Sequence, residues 1–406
     1  MNTTIKKRIE EISSGRVPEG YEKTSFGIFP CDWEKSKTLK DLGIFGKGRG
    51  IPGNKLISEG VPCVGYGDIY MKYNYHFEKA QSFVDESTAA ESKKIRKGTL
   101  LFTATGETAE EIGKCVCYNG EEDIYAGGDI ITFVPDRINS MFIAYQQYQN
   151  YALRQKASFG QGHSVVHIQK DRLEKLHIAY PQSSQEQSRI AEILMQWDKA
   201  IELQEKYIKQ LELRKKALMQ RLLTPKEGWT CKPLGYYFYK EKGKNVAISV
   251  EGKKPIIDMD YAINNRAINF SNDLSGVFAL DNEIIILWDG ASAGKVLYGI
   301  KGIVGSTFCV LRQANKINSK YVYFYLDYAY EKNKKTREGS GIPHMPKDFP
   351  KKQAIWSPEN ILEQNKIANI LTQADNEISL QTQKLDKLIK QRKALQQYLL
   401  TGIVRV

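Results

Sequence analysis

Two glycine-rich strings are the first candidates for phosphate chemistry in this chain. Residues 48–53 have the GxGxxG spacing of dinucleotide-binding loops, but Pro52 interrupts the string and no helical pattern follows it. Residues 290–295 are one residue short of a phosphate-binding loop, and Val296 stands where a serine or threonine would bind magnesium. Neither string predicts a nucleotide site.

Basic side chains near glycine-rich loops are better candidates for binding a polyanion. Lys and Arg supply the salt-dependent contacts to nucleic-acid phosphates, and Arg, Gln and His can also read base edges. A tyrosine can stack on a sugar or base. The candidate DNA-contacting residues are Lys47, Arg49, Tyr70, Lys72, Arg154, Lys156, Gln161, His163, Lys334, Lys335, Arg337 and Ser340. Solvated loops explain the basic residues equally well, and a strand face in the core explains the tyrosines.

The histidines and cysteines do not form a metal pattern. His167 and His344 have no carboxylates or cysteines at ligand spacing, so we expect them to pack or to fix loops. The six cysteines match neither a zinc pattern nor a disulfide framework, which favours reduced core cysteines in a cytoplasmic protein. No segment resembles a secretory signal or a membrane span, so no membrane partner is expected.

Length and charge set the broad class of the protein. A chain of 406 residues should hold two to three domains, each with a core of its own. The formal net charge of +12 favours a polyanionic partner, although charge alone does not prove nucleic-acid binding.

An internal repeat organises the chain. Residues 162–224 recur at 339–401 with a constant offset of 177, and 20 of the 44 positions from Pro181 to Thr224 are identical in the second copy. Upstream, the triplet Ile-Asn-Ser at 138–140 recurs at 317–319. A duplicated chain predicts a pseudo-twofold protein, which suits a target in two parts, such as a pair of DNA half-sites.

The best-matched part of the repeat predicts two long helices. No Pro or Gly interrupts 182–224 or 359–401, and apolar residues recur at alternating steps of four and three, which is the period of a coiled-coil seam. Polar residues occupy matching seam places, Gln204 with Gln381 and Lys215 with Arg392. If the helices pair antiparallel, Gln204 and Gln381 should meet and fix the register; polar seam-edge residues that reach water are the alternative.

Each long helix follows a β-leaning region. Short apolar runs at 98–104, 129–134, 283–288 and 306–312 predict strands, and a short aromatic helix follows each Ile-Asn-Ser triplet. The predicted fold class is α+β, with two mixed β-rich globular domains separated by two long helices in an antiparallel coiled coil. The predicted boundaries are an N-terminal extension (1–25), a first globular domain (26–180), a first helix (181–224), a second globular domain (225–357) and a second helix with its tail (358–406).

The whole pattern resembles the specificity subunits of type I restriction-modification systems. A Trp opens each half, at Trp33 and Trp229, and the shared Gly, His, Lys and Asp of 162–171 and 339–348 follow the globular regions. The strings Pro-x4-Glu-Gln-x2-Ile-Ala-x-Ile-Leu and Leu-Leu-Thr then begin and end each long helix. The resemblance covers the chain from about Phe26 to Thr401.

The resemblance implies a function for each part. The globular regions would be target-recognition domains, one for each half of a bipartite site on double-stranded DNA, and the helices would be conserved spacers. The subunit would be non-catalytic and would assemble with two methyltransferase subunits and, in the full enzyme, two restriction-translocase subunits. No cofactor is expected on this chain; S-adenosylmethionine, ATP and Mg²⁺ would be bound by those partners.

Two other functions remain open from the residues alone. The chain could be a DNA-modifying enzyme with an unrecognised active site, which methyl transfer by the isolated chain would reveal. It could also be a coiled-coil scaffold whose globular domains bind protein. Salt-sensitive, sequence-selective DNA binding would separate that scaffold from a DNA-recognition subunit.

Overall fold

The computed structural model describes residues 3–162, 165–264, 266–339 and 341–406. The chain divides into two compact units, one formed by Met1–Leu203 with Asp386–Val406 and the other by Gln204–Leu385.

The elements of the first unit are numbered along the chain. Its helices are α1 (Thr3–Ser13), α2 (Tyr66–Met71), α3 (Glu86–Glu91), α4 (Ser140–Gln146), α5 (Asn150–Phe159), α6 (Lys170–Leu173) and the first half of α7 (Ser184–Leu223). Its strands are β1 (Tyr21–Lys23), β2 (Ile28–Pro30), β3 (Trp33–Glu34), β4 (Gly43–Lys47), β5 (Val61–Val64), β6 (His76–Phe77), β7 (Ser82–Val84), β8 (Lys93–Ile95), β9 (Leu100–Thr103), β10 (Thr105–Gly106), β11 (Cys115–Tyr118), β12 (Ile124–Ala126), β13 (Ile130–Pro135), β14 (Val166–His167) and β15 (Tyr180–Pro181).

The second unit continues the numbering. Its helices are α8 (Leu234–Tyr237), α9 (Met259–Asn264), α10 (Ser319–Asn333), α11 (Phe349–Lys352) and most of α12 (Ile361–Leu400), whose last part belongs to the first unit. Its strands are β16 (Trp229–Pro233), β17 (Phe238–Lys242), β18 (Lys254–Ile257), β19 (Phe270–Ser271), β20 (Val277–Ala279), β21 (Ile284–Leu287), β22 (Val296–Tyr298), β23 (Gly302–Val304), β24 (Phe308–Gln313) and β25 (Ala354–Pro358).

Each unit is built on a pair of sheets. In the first unit a sheet of order β4-β13-β9-β11-β6 lies beside one of order β7-β5-β12-β8, and in the second unit β17-β24-β21-β22 lies beside β19-β18-β23-β20. Alternate residues of the central strands face opposite sides. Leu101 packs towards the second sheet, whereas Leu100 and Phe102 pack towards α4. The same alternation places Ile285 and Ile286 in the two cores of the second unit.

The predicted strands are confirmed, and they are the central strands of their sheets. The runs at 98–104 and 283–288 contain β9 and β21, and the runs at 129–134 and 306–312 cover all but the last residue of their neighbours β13 and β24. All four are rich in buried β-branched and aromatic residues, which the interior of a sheet accommodates well.

The aromatic helices differ in part from the prediction. Asn139 and Asn318 cap them, each accepting a backbone hydrogen bond through its side chain, at 2.9 Å from Phe142 N and 2.7 Å from Tyr321 N. The second helix, α10, is continuous, but the first is broken into α4 and α5. The tyrosine-rich run that begins at Tyr66 is not a strand face, because residues 66–71 form α2.

The long helices have the predicted seam. Each of α7 and α12 is 40 residues long, or about 60 Å at about 1.5 Å per residue. Every predicted seam position is buried or half-buried; these positions are 190, 194, 197, 201, 204, 208, 211, 215, 218 and 222, together with 367, 371, 374, 378, 381, 385, 388, 392, 395 and 399. In the first unit the start of α7 packs beside the end of α12, and in the second Gln204 and Tyr207 bond to Gln381 and Glu377. The paired segments therefore run antiparallel within each unit, which confirms the coiled coil.

Each globular domain packs on both long helices within its own unit. The first core includes Ile190 and Leu194 near the start of α7, and Leu399 near the end of α12. The second core includes Ile367 and Leu371 near the start of α12, with Leu222 packed against it from the end of α7. Since 190, 194 and 222 correspond to 367, 371 and 399 at the offset of 177, equivalent residues support both domains.

Candidate nucleic-acid interface

Two loops emerge together from one end of the five-stranded sheet. Lys47, the last residue of β4, lies opposite Ile131 on β13, and Ile131 lies opposite Phe102 on β9. The chain beyond β9 forms β10, which pairs with β14 and so carries the loop before His167. The ends of β4 and β9 are two strand spacings apart, or about 10 Å. The side chains of the two loops can therefore contact one ligand surface.

The backbone of the first loop is fixed while its basic side chains are exposed. Gly48 N donates to Ile130 O at 2.7 Å, Arg49 N donates to Ala126 O at 3.1 Å, and Gly128 N donates to Gly50 O at 2.9 Å. Lys47 and Arg49 both extend into solvent. A pair of cations held on a rigid backbone is suited to phosphate binding, because little ordering is needed when the ligand arrives.

The second loop is closed by its histidine through the backbone. Gln161 N donates to His167 O at 2.9 Å, and His167 N donates to Gln161 O at 2.8 Å, which leaves the Gln161 side chain exposed. In the second unit Glu338 and His344 exchange the same two bonds. These bonds involve only the backbone of each histidine, so a loop-fixing role of the imidazole stays a prediction. The candidates His163 and Ser340 lie outside the described residues.

The structure contradicts Lys156 as a DNA contact. Arg154, on the outer face of α5, is exposed, but Lys156 is only 1% exposed and donates from Nζ to Gly113 O at 2.9 Å. Burial lowers the pKa of the Lys156 ammonium to about 8. Lys156 follows Ala152 by four residues, so both lie on the face of α5 that packs into the core.

The side chains of Tyr70 and Lys72 form hydrogen bonds and an ion pair with other residues of the protein. The Tyr70 hydroxyl donates to Thr105 O at 2.9 Å, and burial raises its pKa. The Lys72 ammonium lies 2.7 Å from a carboxylate oxygen of the buried Asp68 and 2.8 Å from Ser82 Oγ. Both residues hold α2 against its neighbours. Tyr70 is half-buried and Lys72 is exposed, so their assignment as DNA contacts stays a prediction.

In the second unit, two of the predicted basic residues are exposed and the third, Arg337, is half-buried. Lys334 and Lys335 lie in a short 3-10 turn and extend into solvent. Arg337 instead donates from Nε to Ala293 O and from Nη1 to Ala291 O, both at 2.7 Å, and from Nη2 to Tyr330 Oη at 2.8 Å. Arg337 therefore holds the 290–294 loop while remaining half-buried, and its assignment as a DNA contact stays a prediction.

The two seam glutamines meet within the second unit. Gln204 Nε2 donates to Gln381 Oε1 at 3.0 Å and lies 3.2 Å from Gln381 O, and Gln204 is buried. The contact is the one expected for antiparallel helices. A buried polar pair of this kind costs stability if the helices shift, which is why it can define register. That role stays a prediction.

Sequence reasoning missed the residues that attach the aromatic helices to the long helices. Gln187 Oε1 accepts from Asn139 N at 2.9 Å while its Nε2 donates to Pro181 O at 2.9 Å. Gln364 makes the same two bonds, to Asn318 N at 2.9 Å and Pro358 O at 2.7 Å. Both glutamines are buried and belong to the repeated Glu-Gln pair. The recurrence of glutamine at this position in both copies of the repeat is the sequence signal that could have indicated their role.

The described residues offer no metal centre. Among them, no group of three His, Cys, Asp or Glu side chains could hold a metal ion, and all six cysteines are free, four of them buried. Within the same residues, no helix is long and apolar enough to cross a membrane.

Comparison with known proteins identifies the repeated domain. The family model for the type I restriction modification DNA specificity domain matches residues 30–213 and again residues 229–390. The MjaVIII type I restriction enzyme specificity subunit of Methanocaldococcus jannaschii is 32% identical over 183 residues, which cover 43% of this chain and 42% of that subunit. The putative MjaX specificity subunit of the same organism is 24% identical over an alignment of 433 residues, covering 96% of this chain and 97% of its own.

Solved structures share the fold. The S subunit of a type I restriction-modification system from M. genitalium matches with a TM-score of 0.62 at 19% identity, covering 90% of this chain and 96% of its own. A chain from a study of complex assembly and conformational transition of the type I R-M system matches with a TM-score of 0.57 at 13% identity, covering 93% and 99%. Because the family's domain is matched twice, over most of the chain, this chain belongs to the specificity-subunit family of type I restriction-modification systems.

Proposed function

We propose that this chain recognises a bipartite DNA sequence, with one globular domain on each half-site. The observation that carries the proposal is the duplication of one arrangement. In each unit a globular domain with an exposed basic loop packs on the start of one long helix and the end of the other, through residues that correspond at the offset of 177. Two equivalent supports can hold two different readers at a set separation.

The charge of the chain supports a DNA partner. The net charge of +12 supplies a favourable field for a duplex, and exposed cations at 47, 49, 154, 334 and 335 offer contacts to phosphates. Base-specific contacts would come from neighbouring loop residues such as Gln161. Because the globular domains differ in sequence far more than the helices do, each domain would read its own short block of bases.

Catalysis would belong to partner subunits. We expect two methyltransferase subunits to dock on the long helices and to flip an adenine out of each half-site, with S-adenosylmethionine bound by those subunits. Two restriction-translocase subunits, with ATP and Mg²⁺, would complete the full enzyme. The chain itself would select the site and act as the scaffold.

The test is the DNA motif that is methylated in cells that express this chain with its methyltransferase. We expect two short specific blocks separated by a nonspecific spacer of fixed length. A single contiguous motif would contradict the proposal. The isolated chain, incubated with DNA and S-adenosylmethionine, should transfer no methyl group.

Exchange of one domain refines the same test. Replacing residues 26–180 by the equivalent domain of a relative should change one block of the motif and leave the other block unchanged. A change in both blocks would show that the domains do not read independently.

A further inference from the structure

In each unit the edge strand of the first sheet, β4 or β17, ends in a lysine at an equivalent position in the strand register. Strand β17 is the edge of its sheet, as β4 is in the first unit. Lys242, the last residue of β17, lies opposite Cys309 on β24, just as Lys47 lies opposite Ile131 on β13. Lys242 is therefore the structural counterpart of Lys47.

The residues that follow these lysines make equivalent backbone contacts. Gly243 N donates to Phe308 O at 2.9 Å, as Gly48 N does to Ile130 O. The next residue, Lys244, donates from its backbone N to Val304 O at 3.2 Å, as Arg49 does to Ala126 O. Each segment thus leaves the first sheet of its unit and crosses to the end of a strand in the second sheet.

The glycine between the two cations is required in both crossings. A Cβ atom on Gly48 would lie 1.8 Å from Gly127 O, and a Cβ atom on Gly243 would lie 2.2 Å from Gly305 O. Contacts this short with backbone oxygen cannot be relieved by a side-chain movement. The crossing explains the glycines, but it does not require a cation on either side of each one.

We propose that Lys242-Gly243-Lys244 is a phosphate-binding loop on DNA, the counterpart in the second domain of Lys47-Gly48-Arg49. The proposal rests on the proposed function and adds Lys242 and Lys244, which sequence analysis did not single out. It gives each domain one pair of cations on a fixed crossing at an equivalent place. Two domains that read different bases still share the same phosphate backbone, so a sequence-independent contact is the one expected to recur.

The surroundings of the second loop are positively charged. Lys242 and Lys244 are both exposed, and Lys240 lies two residues earlier on the same face of β17, with its ammonium 3.8 Å from the centre of the Trp288 ring. Burial lowers the pKa of the Lys240 ammonium, and the nearby positive charges of Lys242 and Lys347 lower it further. In the protein alone Lys242 pairs with Asp289, a half-exposed contact that a phosphate can replace.

The loop was hidden from sequence comparison because its offset is not that of the repeat. Lys47 and Lys242 are separated by 195 residues, whereas the helices repeat at 177. Between the two loops, sequence similarity is confined to three positions, Lys47-Gly48-Arg49 and Lys242-Gly243-Lys244. The correspondence is visible in the strand register and in the backbone hydrogen bonds.

The experiment measures how the affinity of the full-length chain for a random-sequence DNA duplex depends on salt concentration. We expect the logarithm of the binding constant to fall linearly with the logarithm of salt concentration for the unmodified chain. Each lost phosphate contact should reduce the slope by about 0.9. The double variant K242Q/K244Q should therefore reduce it by about 2, and so should K47Q/R49Q. The four-residue variant should show the sum, because the sites are independent.

Two further variants make the result specific. K301Q/K316Q removes the same charge from exposed lysines that lie beyond the opposite ends of β23 and β24, and its slope should stay close to that of the unmodified chain. K242R/K244R keeps the charge and should restore the slope that the glutamines reduce. Circular dichroism checks that each variant is folded.

The results distinguish a failure of the loop assignment from a failure of the proposed DNA-binding function. If the unmodified chain shows steep salt dependence but K242Q/K244Q behaves like it, or no differently from K301Q/K316Q, the loop assignment is overturned and the proposed function stands. If the unmodified chain binds no duplex at any salt concentration, the proposed function is overturned, and the loop assignment with it.

Discussion

Arg392 and Asp198 form a buried ion pair between the two long helices within the first unit. Arg392 Nε lies 2.8 Å from Asp198 Oδ1, and Arg392 is only 4% exposed. The guanidinium carbon is 3.9 Å from the centre of the Tyr75 ring, and the Tyr145 hydroxyl donates to Asp198 Oδ2 at 2.6 Å. One cluster thus joins both helices to the first globular domain.

The second unit holds the repeated copy of this pair. Lys215 corresponds to Arg392 and Asp375 to Asp198 at the offset of 177, and the Lys215 ammonium lies 2.6 Å from Asp375 Oδ1. Phe324 lies under that ammonium at 5.6 Å. The seam cations are therefore not edge residues that reach water. They are the cations of two equivalent interhelical ion pairs, of which the Arg392–Asp198 pair is the more buried.

Removing the cation of the Arg392–Asp198 pair should lower the free energy of unfolding more than removing the cation of the Lys215–Asp375 pair. Arg392→Met leaves the Asp198 carboxylate buried without its cation and should reduce the free energy of unfolding by about 3–5 kcal/mol. Lys215→Met should cost less, because the two carboxylates beside its ammonium, Asp375 and Asp327, each have side chains that are 36% exposed and can be hydrated. Urea denaturation followed by circular dichroism measures both. The double variant R392M/D198L should recover most of the loss; equal effects of the two single variants would contradict this account.

Lys156 should make stability depend on pH. Its folded-state pKa of about 8 lies below the value of about 10.4 in an unfolded chain. Between these values the unfolded chain binds more protons than the folded one, so this residue makes the wild-type protein more stable as pH rises. Relative to Lys156→Met, wild type should gain up to about 3 kcal/mol from pH 7 to pH 10.

Urea unfolding at several pH values measures this difference. Lys175→Met, at an exposed position, is the control and should follow the wild-type profile. Parallel profiles for wild type and K156M would show that Lys156 titrates normally. Because the residue is buried, K156M should also leave the salt dependence of DNA binding unchanged.

The glycine crossings should tolerate no side chain. Gly48→Ala places a Cβ atom against the Gly127 carbonyl and should destabilise the protein by about 1–3 kcal/mol or more. Gly53→Ala, in the same loop, meets nothing within 4 Å and should change stability by less than about 0.5 kcal/mol. Thermal unfolding of the two variants compares them directly. A neutral G48A would mean that the crossing is looser than described.

The long helices should act as a ruler for the DNA spacer. Inserting seven residues at the middle of both α7 and α12 keeps the heptad seam and lengthens each helix by about 10 Å, roughly three base pairs. The methylated motif should keep both half-sites and gain spacer length. An insertion of two residues is the control, because it turns the seam of each helix by about 200° to the opposite face and should impair the protein. An unchanged spacer in the seven-residue variant would refute the ruler.

Much of the fold could be predicted because apolar residues recur at regular spacings along the helices and cluster in short runs along the strands. The seam of α7 and α12 follows from alternating steps of four and three, and each step depends only on residues within one or two helical turns. The central strands β9, β13, β21 and β24 follow from short runs of apolar residues between turn residues. In the first domain, however, the predicted aromatic helix is divided into α4 and α5.

The candidate site was predictable only in part, because the direction of a charged side chain depends on distant segments. Lys47 and Arg49 are exposed as expected. Lys156 is turned inwards by the carbonyl of Gly113, and Arg337 by the carbonyl of Ala293, each more than 40 residues away along the chain. A basic residue in a polar loop looks the same in sequence whether its partner is a phosphate or a buried carbonyl.

The sequence by itself determined that one unit is written twice, that two long helices pair through a seam, and that the family is that of the specificity subunits. These properties depend on periodicity and on identity at a fixed offset, which are both readable along one chain. The tertiary structure alone decided which cations face solvent and that Lys242-Gly243-Lys244 matches Lys47-Gly48-Arg49. Those properties depend on hydrogen bonds between strands far apart in sequence, where the offset of the helices no longer applies.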